Sequence, residues 1–123
     1  MLKASDLRRG CIYKTVLNSD KDKFTIFKFE NFFIQNNITD YKRTVGVALT
    51  TMNEDPYFDN GEGKCFDEDD RYTVEASDEE RLWLNECVKQ NKFITKEESL
   101  FFYIKDIDLN EINVLVSSFD NII

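Results

Sequence analysis

The chain of 123 residues contains no histidine. That removes the commonest general base and the commonest transition-metal ligand together. Within one chain it also excludes Ser–His and Cys–His nucleophilic systems. Cysteine is scarce: Cys11, Cys65 and Cys87 are an odd set with no CxxC spacing. This argues against an oxidised framework and for a reducing compartment. No staple is needed, because a chain of this length buries roughly two thirds of its unfolded surface. Proline occurs once, at Pro56. No apolar run approaches the ~20 residues of a membrane span, and the opening MLKASDLRRGC lacks the apolar core of a signal peptide. A phosphate loop and the spacings of RRM, KH and zinc-finger modules are missing too.

Aromatic residues are plentiful at 14%, eleven of them Phe, with 33% charged and 41% apolar residues. This composition fits one soluble globular domain over residues 1–123. The net charge of −8 is unevenly spread. Residues 1–51 hold nine Lys and Arg against five Asp and Glu, a balance of +4; residues 52–123 hold seven against nineteen, a balance of −12. The split fits either intramolecular complementarity or a partner surface.

The clearest element is Ala76–Ile94, ASDEERLWLNECVKQNKFI. Ser77 and Glu80 have capping-box spacing. Asp78, Glu79 and Glu80 set negative charge at the positive end of the helix dipole. Trp83, Leu84, Cys87 and Val88 share one apolar face, and Asn91 can take the left-handed conformation that stops a helix. The spacing predicts a helix over 77–91.

Before it the chain reads as strands. Cys11–Leu17 is β-branched and aromatic, Asn18-Ser19-Asp20 closes it, and Lys21–Lys23 reads as a charged turn. In Phe24–Asn31, Thr25, Phe27 and Phe29 fall on one face and Phe24, Ile26 and Lys28 on the other. Asn36-Asn37 reads as a turn. In Tyr41–Thr51, Val45, Val47 and Leu49 are expected inward, Thr44, Gly46 and Ala48 outward, with Gly46 marking a bulge or bend. Residues 52–70 are irregular and include the best hairpin signal, Asn60-Gly61, then a short strand near Lys64–Phe66. Arg71–Glu75 is the last strand. Beyond the helix, Thr95 and Glu98 form a second capping box. Asp108 with Glu111 would form a third, before Ile112–Ile123, where helical spacing competes with a strand supported by Val114 and Val116.

About five strands over residues 11–75 with short connections require an antiparallel arrangement. The expected fold is α+β: a small SH3-like β-barrel or twisted sheet in a β-rich region, residues 1–75, packed by the capped helix and a C-terminal helical extension in a helical region, residues 76–123.

Four features invite a functional reading. The segment 52–70 carries Glu54, Asp55, Asp59, Glu62, Asp67, Glu68, Asp69 and Asp70. Such oxygen-rich loops can hold a divalent cation, but the EF-hand order fails: counted from Asp55, position 3 is Tyr57 and position 6 is Asn60. The remaining readings are a solvated loop or an acidic partner surface. Second, Arg8, Arg9, Lys14, Lys21, Lys23, Lys28, Lys42 and Arg43 interleave with Tyr13, Phe24, Phe32, Phe33 and Tyr41, a pattern that suits nucleic acid or a core with solvated edges. Third, a close carboxylate pair could do acid–base chemistry. Fourth, Cys87 and Trp83 read as core, with the Cys87 thiol raised above its ordinary pKa.

The order of these features, RRGCIYKT, FTIFKF, GEGKCFDEDD and YTVEASDEERLWLNECVKQNKFI, resembles a group of small proteins of Bacteroides-type gut phages, the crAss-like phages among them. The shared pattern is Ala76, Glu79, Glu80, Trp83, Leu84 and Cys87 with Phe93-Ile94, within residues 8–98. The resemblance implies a phage setting, in a bacterial host's cytoplasm or the virion, and no activity. The expectation is therefore a non-enzymatic protein–protein interaction module without cofactor or metal, accessory, virion-associated or anti-defence, using the acidic surface. A nucleic-acid-binding module and a carboxylate-based enzyme are the alternatives.

Overall fold

A computed structural model describes residues 1–52, 54–66 and 68–106. The third capping box and everything expected of Ile112–Ile123 lie outside these residues.

The chain from Asp20 to Thr50 is one long, sharply bent hairpin. Its first arm is β2 (Asp20–Lys28) and β3 (Asn31–Gln35); its second is β4 (Ile38–Val45) and β5 (Ala48–Thr50). The bend lies at Gly46, as its mid-strand position predicts. Gly46 has φ +152°, and a Cβ there would sit 1.7 Å from the Lys28 carbonyl oxygen. Past the bend the two arms pair in different sheets. With β1 (Ile12–Leu17), β6 (Tyr57–Asp59) and β8 (Arg71–Glu75), strands β2 and β5 form a five-stranded sheet of order β6-β5-β2-β1-β8. With β7 (Lys64–Cys65), strands β3 and β4 form a three-stranded sheet of order β3-β4-β7. All pairings are antiparallel.

The fold is thus α+β, but its strands do not close into a barrel. β6 and β7 have only three and two residues, and they pair with different sheets. Asn60-Gly61 between them is therefore no hairpin turn: it carries the chain from one sheet to the other. Gly61, at φ +68°, backs onto the Gly46 carbonyl so closely that a Cβ would overlap it. Two further expectations fail. Lys21–Lys23 is strand, because β2 starts at Asp20. Thr44 and Ala48 are buried rather than outward, because both faces of the bent arm are covered.

Helix α1 (Asp78–Gln90) lies on one face of the larger sheet. Both capping-box bonds form, Glu80 N–H to Ser77 Oγ at 3.2 Å and Ser77 N–H to Glu80 Oε1 at 2.9 Å. Asn91 ends the helix in the left-handed conformation. Ile12, Ile26 and Leu49 meet Trp83, Leu84, Cys87 and Ile94. The Trp83 indole donates to the Ile94 carbonyl at 2.7 Å, so the chain after the helix is held to its buried ring. Val88, expected on this face, is 43% exposed.

The other face of the larger sheet carries Tyr13, Phe27 and Ala48, packed with Leu7, Phe29 and Phe66. It also carries a row of register partners, Thr50, Thr25, Thr15 and Thr73, all buried. Their hydroxyls pair across strands, Thr15 with Thr73 at 2.8 Å and Thr25 with Thr50 at 3.3 Å. Helix α2 (Lys96–Asp106) follows, with the expected Thr95–Glu98 box formed, and packs on α1. Among the described residues no helix is long and apolar enough to cross a membrane.

Candidate interaction site

Antiparallel pairing gathers three connections at one end of the larger sheet. Leu17 is opposite both Asp20 and Arg71, and Thr50 is opposite Tyr57. The β1–β2 turn, the β5–β6 connection and the β7–β8 connection therefore lie at the same end, the last two on either side of the β1–β2 hairpin. Hydrogen bonds fasten them. The Asn18 backbone donates to the Asp70 carbonyl at 2.8 Å, and its side chain to the Asp69 carbonyl at 3.2 Å. Thr51 Oγ1 donates to the Asp22 carbonyl at 3.0 Å.

This end carries Glu54, Asp55, Glu68, Asp69 and Asp70 from the predicted acidic segment, joined by Asp20 and Asp22 from the start of β2. Lys21, Lys23 and Arg71 lie at the same end. Arg71 is engaged by Asp70 through bonds of 2.9 and 3.3 Å, and this partner holds the Asp70 carboxyl below its ordinary value. Asp20 and Asp22 were not legible as part of the site, because strand register rather than sequence proximity puts them there.

Asp59 and Glu62 lie apart, toward the crossing at Gly61. Asp59 is bound to Lys64 at 3.0 Å, and its Oδ1 accepts from the Gly61 N–H at 2.8 Å. Burial alone would lower the Lys64 pKa, but its bonds to Tyr57 and Asp59 raise it overall. Asp67 lies outside the described residues. Among those described, no group of three or more His, Cys, Asp or Glu side chains could hold a metal.

The basic and aromatic residues do not assemble into one face. Tyr13 is buried, and Phe24 lies against the edge of Trp83. Phe32 packs with Phe29, Phe66 and Tyr41. Of the five rings proposed for stacking, Tyr41 alone is largely exposed. Lys14 lies over the Phe24 ring at 4.4 Å and pairs with Glu80 at 2.6 Å, fastening β1 to α1. Arg9 and Arg43 pair with Glu30 and Asp40.

One carboxylate escaped the sequence reading altogether. Glu86 on α1 is only 1% exposed; its Oε1 accepts from Lys89 at 3.2 Å and its Oε2 has no hydrogen-bond partner among the described residues. Nothing in the local pattern marks it, since Glu is an ordinary helix residue. Cys87 beside it is buried as expected; burial raises its thiol pKa, and Glu86 and Glu98 add to that.

No family model, curated protein or solved structure matches the chain. The acidic end has its own chemistry: seven carboxylates on the start of β2 and on two connections fastened to the β1–β2 hairpin, most of them facing solvent.

Proposed function

We propose that the protein is a non-enzymatic interaction module that binds a basic protein partner through the acidic end of its larger sheet. The scaffold is an opened variant of an SH3-like arrangement, bent at Gly46. The observation that carries this reading is the gathering of Asp20, Asp22, Glu54, Asp55, Glu68, Asp69 and Asp70 at one end of the sheet, on the start of β2 and on two connections hydrogen-bonded to the β1–β2 hairpin. A fixed array of carboxylates can stand in for phosphates and occupy a nucleic-acid groove on another protein. The resemblance to gut-phage proteins supports an accessory, virion-associated or anti-defence role in a bacterial host.

The test is capture from host-cell extract on the immobilised protein. Retention at low ionic strength, release at roughly 0.5 M salt and loss in the double variant Glu54→Lys/Asp69→Lys are expected. Retention indifferent to both salt and charge reversal would sink the proposal. The nucleic-acid alternative rests on the cations of residues 1–51. Polarisation of a labelled single-stranded oligonucleotide at low salt decides it, and absence of binding at micromolar protein removes it. The carboxylate-enzyme alternative requires a concave pocket holding two close acids, and the buried Glu86 is its single lead.

A further inference from the structure

Residues 31–39, NFFIQNNIT, carry no charge in a chain that is 33% charged. They build β3, the turn and the start of β4. Asn36 and Asn37 have φ of 52° and 65°, as a two-residue type I′ hairpin requires. The pair flanking such a turn exchanges hydrogen bonds, and every second pair beyond it does the same. Here those pairs are Gln35 with Ile38 and Phe33 with Asp40. Ile34 between them therefore aims its N–H and C=O away from β4.

On that outer side β3 has no neighbour among the described residues. The Phe32 N–H is occupied by the adjacent Asn31 side chain at 2.8 Å, a local bond that a strand can replace. Exposed edges are ordinarily guarded by Lys, Pro or an inward charge, and β3 has none of these. Its Ile34 is 52% exposed.

We propose that β3 is a self-association edge, where two copies of this chain pair antiparallel about Phe33. The occupant follows from charge and symmetry. A two-fold axis at Phe33 sets Phe32 of one copy opposite Ile34 of the other, so the outward backbone groups of the four residues satisfy one another. An edge without charge brings no like charges together in this pairing. At a net charge of −8 copies repel across most of their surface. The hairpin 31–45, by contrast, holds only Asp40 against Lys42 and Arg43, a balance of +1. It also leads away from the acidic end, where β2 starts. A five-residue edge is small, so the affinity is modest, on the order of micromolar or weaker.

Sedimentation equilibrium over roughly 1–500 µM protein, with amide hydrogen exchange at Ile34, tests this on the unmodified chain. A concentration-dependent dimer is expected, with Ile34 exchange slowing as the dimer fills. The variant Ile34→Lys should keep the wild-type melting curve and weaken dimerisation at least about tenfold. A chain monomeric throughout this range overturns the proposal. So does a dimer that leaves Ile34 exchange unchanged, or one that a folded Ile34→Lys chain forms equally well.

Discussion

The larger sheet is covered on its two faces in different ways. On one, a single contiguous segment from Ala76 to Ile94 supplies most of the cover, with Trp83 at its centre between the rings of Phe24 and Phe93. On the other, the cover is assembled from distant pieces, Leu7, Phe29 and Phe66 among them, and four threonines lie buried in one row. The helix face concentrates its stability in a few side chains. The sheet face distributes it over backbone geometry and paired hydroxyls, so its failures should be smaller and more local.

The sharpest way to break this contrast is Trp83→Ala. It removes the largest side chain on the helix face together with the bond to Ile94, and should cost about 3–5 kcal/mol in chemical denaturation. A soluble variant with wild-type melting would show that the helix is not the dominant cover. Next is Gly46→Ala at the bend. The added Cβ meets the Lys28 carbonyl oxygen, which nothing flexible can relieve, and about 2–3 kcal/mol of strain is expected. An unchanged denaturation midpoint would mean that the bend tolerates a side chain.

The threonine row gives a finer test. Thr73→Val leaves the buried Thr15 hydroxyl without its partner and should cost about 1–2 kcal/mol. Adding Thr15→Val should restore much of that loss. A double variant whose loss equals the sum of the singles would mean that the hydroxyls act independently.

The smallest effect concerns Lys14 and Glu80, which fasten β1 to α1 on the helix face. Burial alone would raise the Glu80 pKa, but the bonds from Lys14 and the Ser77 backbone outweigh it and hold the carboxyl below its ordinary 4.5. The unfolded chain then takes up the proton first as pH falls. The stabilisation is therefore complete above about pH 4.5 and fades below it, toward the folded value. Melting temperatures of the wild type and Lys14→Met should differ most near neutral pH and converge on acidification. A constant gap down to pH ~3 would count against the pair.

What the sequence made legible follows the same division. The α1 signals lie within one turn of the residues they govern: the Ser77–Glu80 box, the Trp83, Leu84 and Cys87 spacing, and the Asn91 stop. Val88 strayed because spacing gives a face but not its width. The strand alternation in Phe24–Phe29 was readable for the same local reason. β3 was not, since NFFIQ puts apolar residues on both faces. The Asn60-Gly61 signal did not make a hairpin: Gly61 instead meets Gly46, fifteen residues earlier, and that contact exists only once the sheets cross. The acidic site divided likewise: Glu54 and Asp55 share one end of the sheet with Asp69 and Asp70, on either side of the β1–β2 hairpin, while Asp20 and Asp22 entered by register and Asp59 left for Lys64.

The bent hairpin of residues 20–50 also bears on the order of folding. Its two arms contact each other over short sequence separations, yet they contribute strands to both layers. Loop closure is cheap here, and contacts close in sequence form early. The hairpin is therefore the expected nucleus, with β8 and α1 docking afterwards across the long connection to β1. Substitutions at Phe27 or Leu49 should slow refolding, whereas those at Leu84 should chiefly hasten unfolding. The chevron arms of the three variants would report that order.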